Sequence, residues 1–275
     1  MFKCLRRIRS VSRLVIVDGL RRHALIGLIL FALAGETGGL LFFDFIPRDI
    51  GRASNDFLFS ITWLVGFIFL LFHAVQVMAW DNERRVLHTF LARPISRAEY
   101  VLGVFFGLAT VLLALNAILG GIGWIVLNFI RRSVDASSYF QHLSLPFFLL
   151  ASAGLYCMEL MLLAVILFFS GAVRGNFPVL LLSLSYYFIC SGLPVVRQAL
   201  RQLTAQAPPP YLETMLKGVT AIFPDFSRLD FKMLVASSDP VPGVGQIVIP
   251  FVLGAMYVLI VLWLACAIYQ RRDLQ

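Results

Sequence analysis

Two glutamates, Glu36 and Glu159, lie inside long apolar runs and have the strongest potential for chemistry in this chain. An ionised carboxylate in hydrocarbon must be paired, solvated or protonated, so residues of this kind carry protons, line polar paths or join helices. At 1.5 Å of rise per helical residue, each lies roughly 17 Å from one end of its run, and Asn116 lies slightly farther along. We expect a polar patch that lines a translocation path or a subunit interface. The alternatives are simple hydrogen bonding between helices, or a Glu36 that lies in a loosened, glycine-rich outer end of its span.

Motifs for catalysis are absent from the sequence. None of the three lysines, Lys3, Lys217 and Lys232, follows a glycine, so no G-x-x-x-x-G-K-[ST] phosphate loop can be written. The histidines do not show H-E-x-x-H spacing, and there is no G-x-S-x-G elbow. The four cysteines form no C-x-x-C pair. Cys157, Cys190 and Cys266 lie in apolar runs and are interpreted as buried free thiols, whereas Cys4 lies in the basic N-terminal segment, on the cytoplasmic side of the predicted topology. We therefore expect no catalytic residue, cofactor or metal ion on this chain, which is not predicted to be an enzyme.

A polar, arginine-rich island occupies residues 80–100, between two long apolar runs. It begins as a short amphipathic helix, which Pro94 ends because proline cannot continue a helix. Ser96 and Glu99 then form a capping box, in which each side chain bonds the backbone amide of the other residue. The pattern predicts a surface helix held rigidly at the start of a membrane helix. A rigid surface helix of this kind could transmit the movement of a soluble partner protein to the membrane helix.

The elements that position these residues are membrane helices. The 275-residue chain is 60% hydrophobic and has a mean hydropathy of +0.87. Runs of about 20 apolar residues are long enough to cross a hydrocarbon core of roughly 30 Å. The sequence therefore predicts an all-α, polytopic membrane protein with six transmembrane helices. The six runs cover residues 24–43, 57–79, 101–130, 147–170, 177–195 and 247–268.

The charge pattern predicts the orientation. If six spans alternate, fourteen of the 23 lysines and arginines fall on one side. By the positive-inside rule that side is cytoplasmic, so both termini face the cytoplasm of a bacterial or archaeal inner membrane. The positive residues lie close to the ends of the spans, which favours contact with the lipid bilayer and argues against nucleic-acid binding.

Residues 1–23 are predicted to form an interfacial amphipathic helix, and residues 24–275 the six-span domain. Apolar Phe2, Leu5, Ile8, Val15 and Leu20 fall near one face of that first helix, and arginines near the other, a pattern typical of helices in the headgroup layer. The alternative is a disordered basic tail. The extracytoplasmic loop 196–246 is the largest piece outside the membrane, and it could recruit a further partner there.

The island and the start of the next span carry a pattern formed by Glu83, Leu87, Leu91, Pro94, Ser96, Arg97, Tyr100 and Gly103. This pattern resembles the permease subunits of type-two ATP-binding-cassette exporters. Val86 and His88 stand near a position that is usually small or threonine in that family, and Val104 replaces a frequent lysine. Two further stretches are similar to the family: Phe223–Arg228 and Tyr269–Asp273.

The resemblance implies a dimer of permeases, with a second copy or a homologue, on two cytoplasmic ATPase subunits. ATP and magnesium would bind those subunits, and the 80–95 segment would be the coupling helix. Apolar residues would fill a groove on the ATPase while charged residues set the register. The alternatives are a solvated loop, a membrane scaffold or assembly protein, and a secondary transporter. The coupling residues implied are Glu83, Arg84, Arg85, Leu87, Phe90, Leu91, Pro94, Ser96, Arg97 and Glu99.

Overall fold

The computed structural model describes residues 2–21, 23–43, 50–78, 96–133, 143–203, 218, 223–236 and 242–271, and these residues contain no β-strand. Seven long helices dominate. A π-helical stretch, Phe69–Ala74, follows the third helix, and a 3₁₀ turn, Phe226–Leu229, precedes the last. The helices are α1 (Phe2–Arg21), α2 (His23–Phe43), α3 (Ile50–Ile68), α4 (Arg97–Ser133), α5 (Leu145–Ala172), α6 (Asn176–Leu203) and α7 (Val244–Arg271).

Five helical segments are long and apolar enough to cross a membrane, and they indicate a membrane-embedded, all-helical protein. A shorter apolar stretch, Leu25–Gly39, lies within α2. Large apolar side chains remain exposed on the outer helices, as on α7, where Trp263 is 70% exposed. Such surfaces are stable when lipid covers them. The five segments are Ile50–Met78, Arg97–Arg132, Leu145–Ala172, Asn176–Val196 and Val244–Arg271.

Close glycine contacts fix the directions of neighbouring helices. Gly35 and Gly39 of α2 lie against Ile61 and Phe57 of α3, so these two helices are antiparallel. Gly171 of α5 lies against Tyr269 of α7, near the ends of both helices. Towards their starts, Gly254 of α7 lies against Cys157 of α5, so α5 and α7 are parallel.

Helices α2 to α7 therefore alternate in direction and give the bundle two distinct ends. One end gathers the starts of α2, α4 and α6 and the ends of α3, α5 and α7, and we call it the basic end. A turn at Gly175, with φ of 95°, connects α5 to α6 there. The segment 223–236 packs at the opposite end, which we call the loop end. The described arginines of the basic end are Arg6, Arg7, Arg9, Arg13, Arg21, Arg97, Arg174 and Arg271.

Helix α1 runs parallel to the first part of α4. Val11 packs on Gly103 and Val15 packs on Gly107, four residues farther along both helices. A Cβ atom at either glycine would approach its valine Cβ to 2.6–2.7 Å, so glycine is required for this close contact. Continuing the same register, Gly19 lies against Val111.

The apolar face predicted for α1 is divided in the structure. Val15 is buried together with Val11, whereas Leu5 and Leu20 are 57% and 60% exposed. The helix therefore presents one narrow apolar stripe to α4 and leaves other apolar side chains on its surface. Residues 2–21 are helical, whereas the interfacial position of this helix stays a prediction. The contact with α4 could not be seen in the amphipathic pattern.

Candidate functional site

The predicted capping box at the start of α4 is confirmed. The Ser96 backbone N–H donates to Glu99 Oε2 at 2.9 Å, and the Glu99 N–H donates to Ser96 Oγ at 3.2 Å. This reciprocal pair satisfies two amides that a helix start would otherwise leave unpaired. The capping box fixes the direction in which the chain enters α4.

Contacts from two other helices surround this box. Arg7 of α1 forms an ion pair with Glu99 at 3.5 Å. Arg97 Nη1 donates to the backbone carbonyls of Tyr269 and Gln270, at 3.2 Å each, in the last turn of α7. A cation at a helix C-terminus is favourable because the last carbonyls carry partial negative charge.

Tyr269 of α7 connects these contacts to a fourth helix, α5. The tyrosine ring packs on Gly171, and its hydroxyl donates to Ser170 Oγ at 3.2 Å, so α7 is joined to the end of α5. We call Arg7, Ser96, Arg97, Glu99 and Tyr269 the junction. The sequence pointed to Ser96, Arg97 and Glu99 but missed Arg7. The Tyr269–Asp273 stretch is similar to the permease family in sequence, but its contact with Arg97 could not be predicted from that similarity.

The junction also affects the nearby thiol of Cys4 in α1. Cys4 is exposed, and its pKa is raised above the usual value because the thiol hydrogen-bonds to the Glu99 carboxylate. Desolvation and the negative charge of Glu99 raise that pKa further, while Arg7 acts in the opposite direction. Cys4 is therefore less ionised than an isolated cysteine at the same pH.

Most of the predicted coupling segment lies outside the described residues. This applies to Glu83, Arg84, Arg85, Leu87, Phe90, Leu91 and Pro94. The structure describes the point at which that segment enters α4, and the junction is located at this entry.

A second candidate site lies inside the helix bundle. Asn116 of α4 donates from Nδ2 to Glu159 Oε2 of α5 at 2.5 Å, and also to the carbonyl of Leu112 at 3.0 Å. Glu159 is fully buried, and Asn116 is 8% exposed. The other Glu159 oxygen touches Gly66 of α3, where any side chain would collide with it. Three helices therefore meet at this carboxyl group.

Glu36 is not part of this pair. It is fully buried in α2, and neither of its carboxyl oxygens has a hydrogen-bond partner among the described residues. Its neighbour Gly35 lies against Ile61, which precedes Gly66 by five residues, or roughly 7 Å along α3. The sequence placed Glu36 and Glu159 at the same distance from one end of their runs. The structure instead pairs Glu159 with Asn116 and places Glu36 at a separate level.

The π-helical stretch of α3 was not predicted. It begins three residues after Gly66 and includes His73, whose Nε2 lies close to Gly19 of α1. Wide helical turns of this kind are rare and occur often at functional sites. This stretch follows the Glu159 contact at Gly66 along the chain, and it lies close to α1 through His73.

Within the described ranges, no group of three or more histidine, cysteine or acidic side chains is close enough to hold a metal ion. The scan against protein-family models and the search of curated proteins found no match to this chain.

Proposed function

We propose that this chain is the transmembrane permease subunit of an ATP-binding-cassette transporter, most simply an exporter. It would couple ATP hydrolysis on two separate cytoplasmic ATPase subunits to substrate movement, or to signalling to a periplasmic partner. The observation that carries the proposal is the junction. It ties the end of the arginine-rich segment to α1, α4 and α7 through Glu99, Ser96 and Arg97.

The proposal includes six crossings, with α2 as the first. Two observations support it: α2 contains 21 residues, enough for roughly 30 Å, and it runs antiparallel to α3. With six crossings, both chain ends lie at the basic end of the bundle. The concentration of arginines there favours a cytoplasmic location for that end.

In the proposed mechanism, the ATPase displaces residues 80–95 when it closes on ATP and magnesium. Ser96 and Glu99 hold the start of α4 rigidly, so α4 follows this displacement. Glu99 pulls on α1 through Arg7, and Arg97 pulls on the last turn of α7. The chain would act in a dimer with a second copy or a homologous permease.

The test is substrate-stimulated ATP hydrolysis by the assembled complex, together with pull-down of the ATPase by the permease. Leu91→Asp should release the ATPase, because apolar anchors usually dominate such interfaces. Arg97→Ala should keep the ATPase bound but lower the stimulation, because α7 is no longer tied to α4. Arg174→Ala is a matched control, since it removes an arginine at the same end, outside the junction.

Two results would contradict the proposal. One is wild-type ATPase binding and stimulation by the Leu91→Asp permease. The other is failure of any cassette ATPase to co-purify with the chain, which would favour a scaffold or assembly protein.

A second candidate function is a proton-coupled secondary transporter, and the buried Glu159–Asn116 pair favours it. Intramembrane carboxyl groups often belong to proton relays. The two candidates differ in their energy source. Flux that follows a proton gradient, persists without any ATPase and is lost in Glu159→Gln would select this second function.

A further inference from the structure

A cavity of about 270 Å³ lies at the loop end of the bundle, outside both candidate sites. Helices α3, α5 and α6 form three of its walls, and the segment 226–232 forms the fourth. Its volume is near the lower limit for sites that hold small organic molecules.

The inner part of the cavity is aromatic. Trp63 of α3 donates from Nε1 to the hydroxyl of Tyr187 on α6 at 3.2 Å, and their ring centroids are 5.7 Å apart. Phe226 approaches Trp63 edge-on, with centroids 6.4 Å apart, and Met158 of α5 completes this inner wall. Because the Trp63–Tyr187 bond and the Phe226 contact hold the rings, this surface is preorganised for an aromatic or aliphatic body.

The outer part of the cavity carries charge. Asp230 and Lys232 line it, and the Lys232 ammonium lies 3.6 Å from Asp230 and 3.7 Å from Asp56 of α3. Two carboxylates thus share one ammonium, so this group carries one net negative charge. The nearby Asp225 and Arg228 form their own ion pair, and Arg52 lies one turn beyond Asp56 in an exposed position.

The charge of the cavity rim and the shape of its aromatic floor together indicate the kind of ligand. Asp56 and Trp63 are seven residues apart on α3, so the charged rim and the aromatic floor are separated by roughly 10 Å. We propose that this cavity binds a small amphiphilic organic cation. Its ammonium group lies beside the Asp230 carboxylate, because the Lys232 ammonium is already paired with Asp56 behind the rim. Its apolar body packs on Trp63, Tyr187 and Phe226. This site does not depend on the proposed transport function, because binding can be measured without an ATPase.

Isothermal titration of the purified full chain in a neutral detergent tests the site. The probes are benzyl-dimethyl-hexylammonium and the matched hexylbenzenesulfonate anion, and the cation should bind more tightly. Trp63→Leu should weaken cation binding about three- to tenfold, the range expected for loss of an aromatic partner. Asp230→Asn should weaken it about two- to fivefold, because the rim is partly exposed and solvent screens the charge.

Lys232→Gln gives the decisive result, because it should act in the opposite direction. Removing the ammonium leaves two carboxylates at the rim, so cation affinity should rise while sulfonate affinity falls. A misfolded variant cannot bind more tightly, so this outcome separates binding from structural damage. Asp18→Asn on α1 and Trp263→Leu on the exposed face of α7 are matched controls and should bind the cation like the wild type.

Three outcomes would overturn the proposal. The first is equal binding of the ammonium and the sulfonate. The second is wild-type cation affinity in Trp63→Leu. The third is unchanged or weakened cation binding in Lys232→Gln.

Discussion

At the scale of single residues, the Glu159 carboxyl is the most constrained group of the bundle. Burial without a partner would cost several kcal/mol, so the Asn116 amide is needed as a donor. Gly66 leaves the space that the second oxygen occupies. Asparagine suits the role because one nitrogen can serve both Glu159 and the carbonyl of Leu112. The pair therefore selects one packing of α3, α4 and α5.

The first prediction concerns this pair. Asn116→Leu should lower the free energy of unfolding by about 1–3 kcal/mol, because it leaves a buried carboxyl group without its donor. Unfolding in mixed micelles with increasing dodecyl sulfate measures the change. Asn128→Leu is the matched control, because Asn128 also lies on α4 and donates to the carbonyl of Trp124 within its own helix.

Glu159→Gln should be well tolerated, since its amide oxygen can still accept from Asn116. If Asn116→Leu and Asn128→Leu prove equally mild, the hydrogen bond between α4 and α5 does not stabilise the bundle.

The second prediction uses Cys4 as a reporter of the junction. Glu99→Gln replaces the carboxylate acceptor with a weaker, neutral amide oxygen and removes the negative charge that raises the Cys4 pKa, so the thiolate fraction at pH 8 should increase. Alkylation of Cys4 by iodoacetamide should then be faster than in the wild type. Arg7→Gln should have the opposite effect, because Arg7 lowers that pKa.

Peptide mass spectrometry can follow the alkylation rate at Cys4 as the pH is raised. Identical rates in the wild type and both variants would mean that α1 does not contact Glu99 in solution.

At the scale of elements, the arginine-rich helix α1 packs parallel to the long, apolar helix α4. Contacts from Arg7–Glu99 to Gly19–Val111 cover about 18 Å of α4. With 37 residues, α4 is roughly 55 Å long, well beyond the hydrocarbon thickness. The first part of α4 can therefore project with α1 into the headgroup layer and the water beyond it, which keeps the exposed arginines of α1 out of hydrocarbon.

The third prediction tests this pair of helices. Gly103→Ala or Gly107→Ala should separate α1 from α4, because the new methyl group would overlap Val11 or Val15. Overpacking of this kind typically costs about 1–3 kcal/mol. Trypsin should then release the arginine-rich N-terminal segment faster than in the wild type.

Gly121→Ala is the matched control on the same helix, because its new methyl group would meet no atom within 4 Å. Faster cleavage in this control would show that the glycine substitutions act on helix α4 itself. Equal cleavage in all variants would contradict the close contact between α1 and α4.

At the scale of the whole molecule, helix directions and charge agree. The alternating helices place the 173–175 turn at the basic end and the segment 223–236 at the loop end. Asn55 donates to the carbonyl of Lys232 at 2.6 Å, and Lys232 pairs with Asp56, so this segment is fixed to the start of α3. The segment 223–236 therefore covers the loop end of the bundle in a fixed position.

The fourth prediction concerns orientation. In intact cells, an impermeant maleimide should label Ser227→Cys but not Arg174→Cys or His88→Cys. Arg174→Cys and His88→Cys should be labelled only after the membrane is opened. Labelling of position 88 in intact cells would reverse the topology and remove the basis for cytoplasmic coupling.

The sequence by itself determined the features that depend on neighbouring residues. Long apolar runs specify membrane-type helices because each span can satisfy its own backbone hydrogen bonds. The capping box was predictable because Ser96 and Glu99 are only three residues apart. Glu159 stood out because a carboxyl group is costly in any apolar run.

Only the tertiary structure decided how the helices face one another. Hydropathy is nearly uniform around a membrane helix, so it does not specify which side of α4 meets α1 or α5. Asn116 meets Glu159, and Arg97 meets Tyr269, across long stretches of chain. These contacts depend on the rotation and depth of whole helices, which close glycine packing sets. For the same reason the cavity beneath residues 226–232 exists only in the assembled bundle.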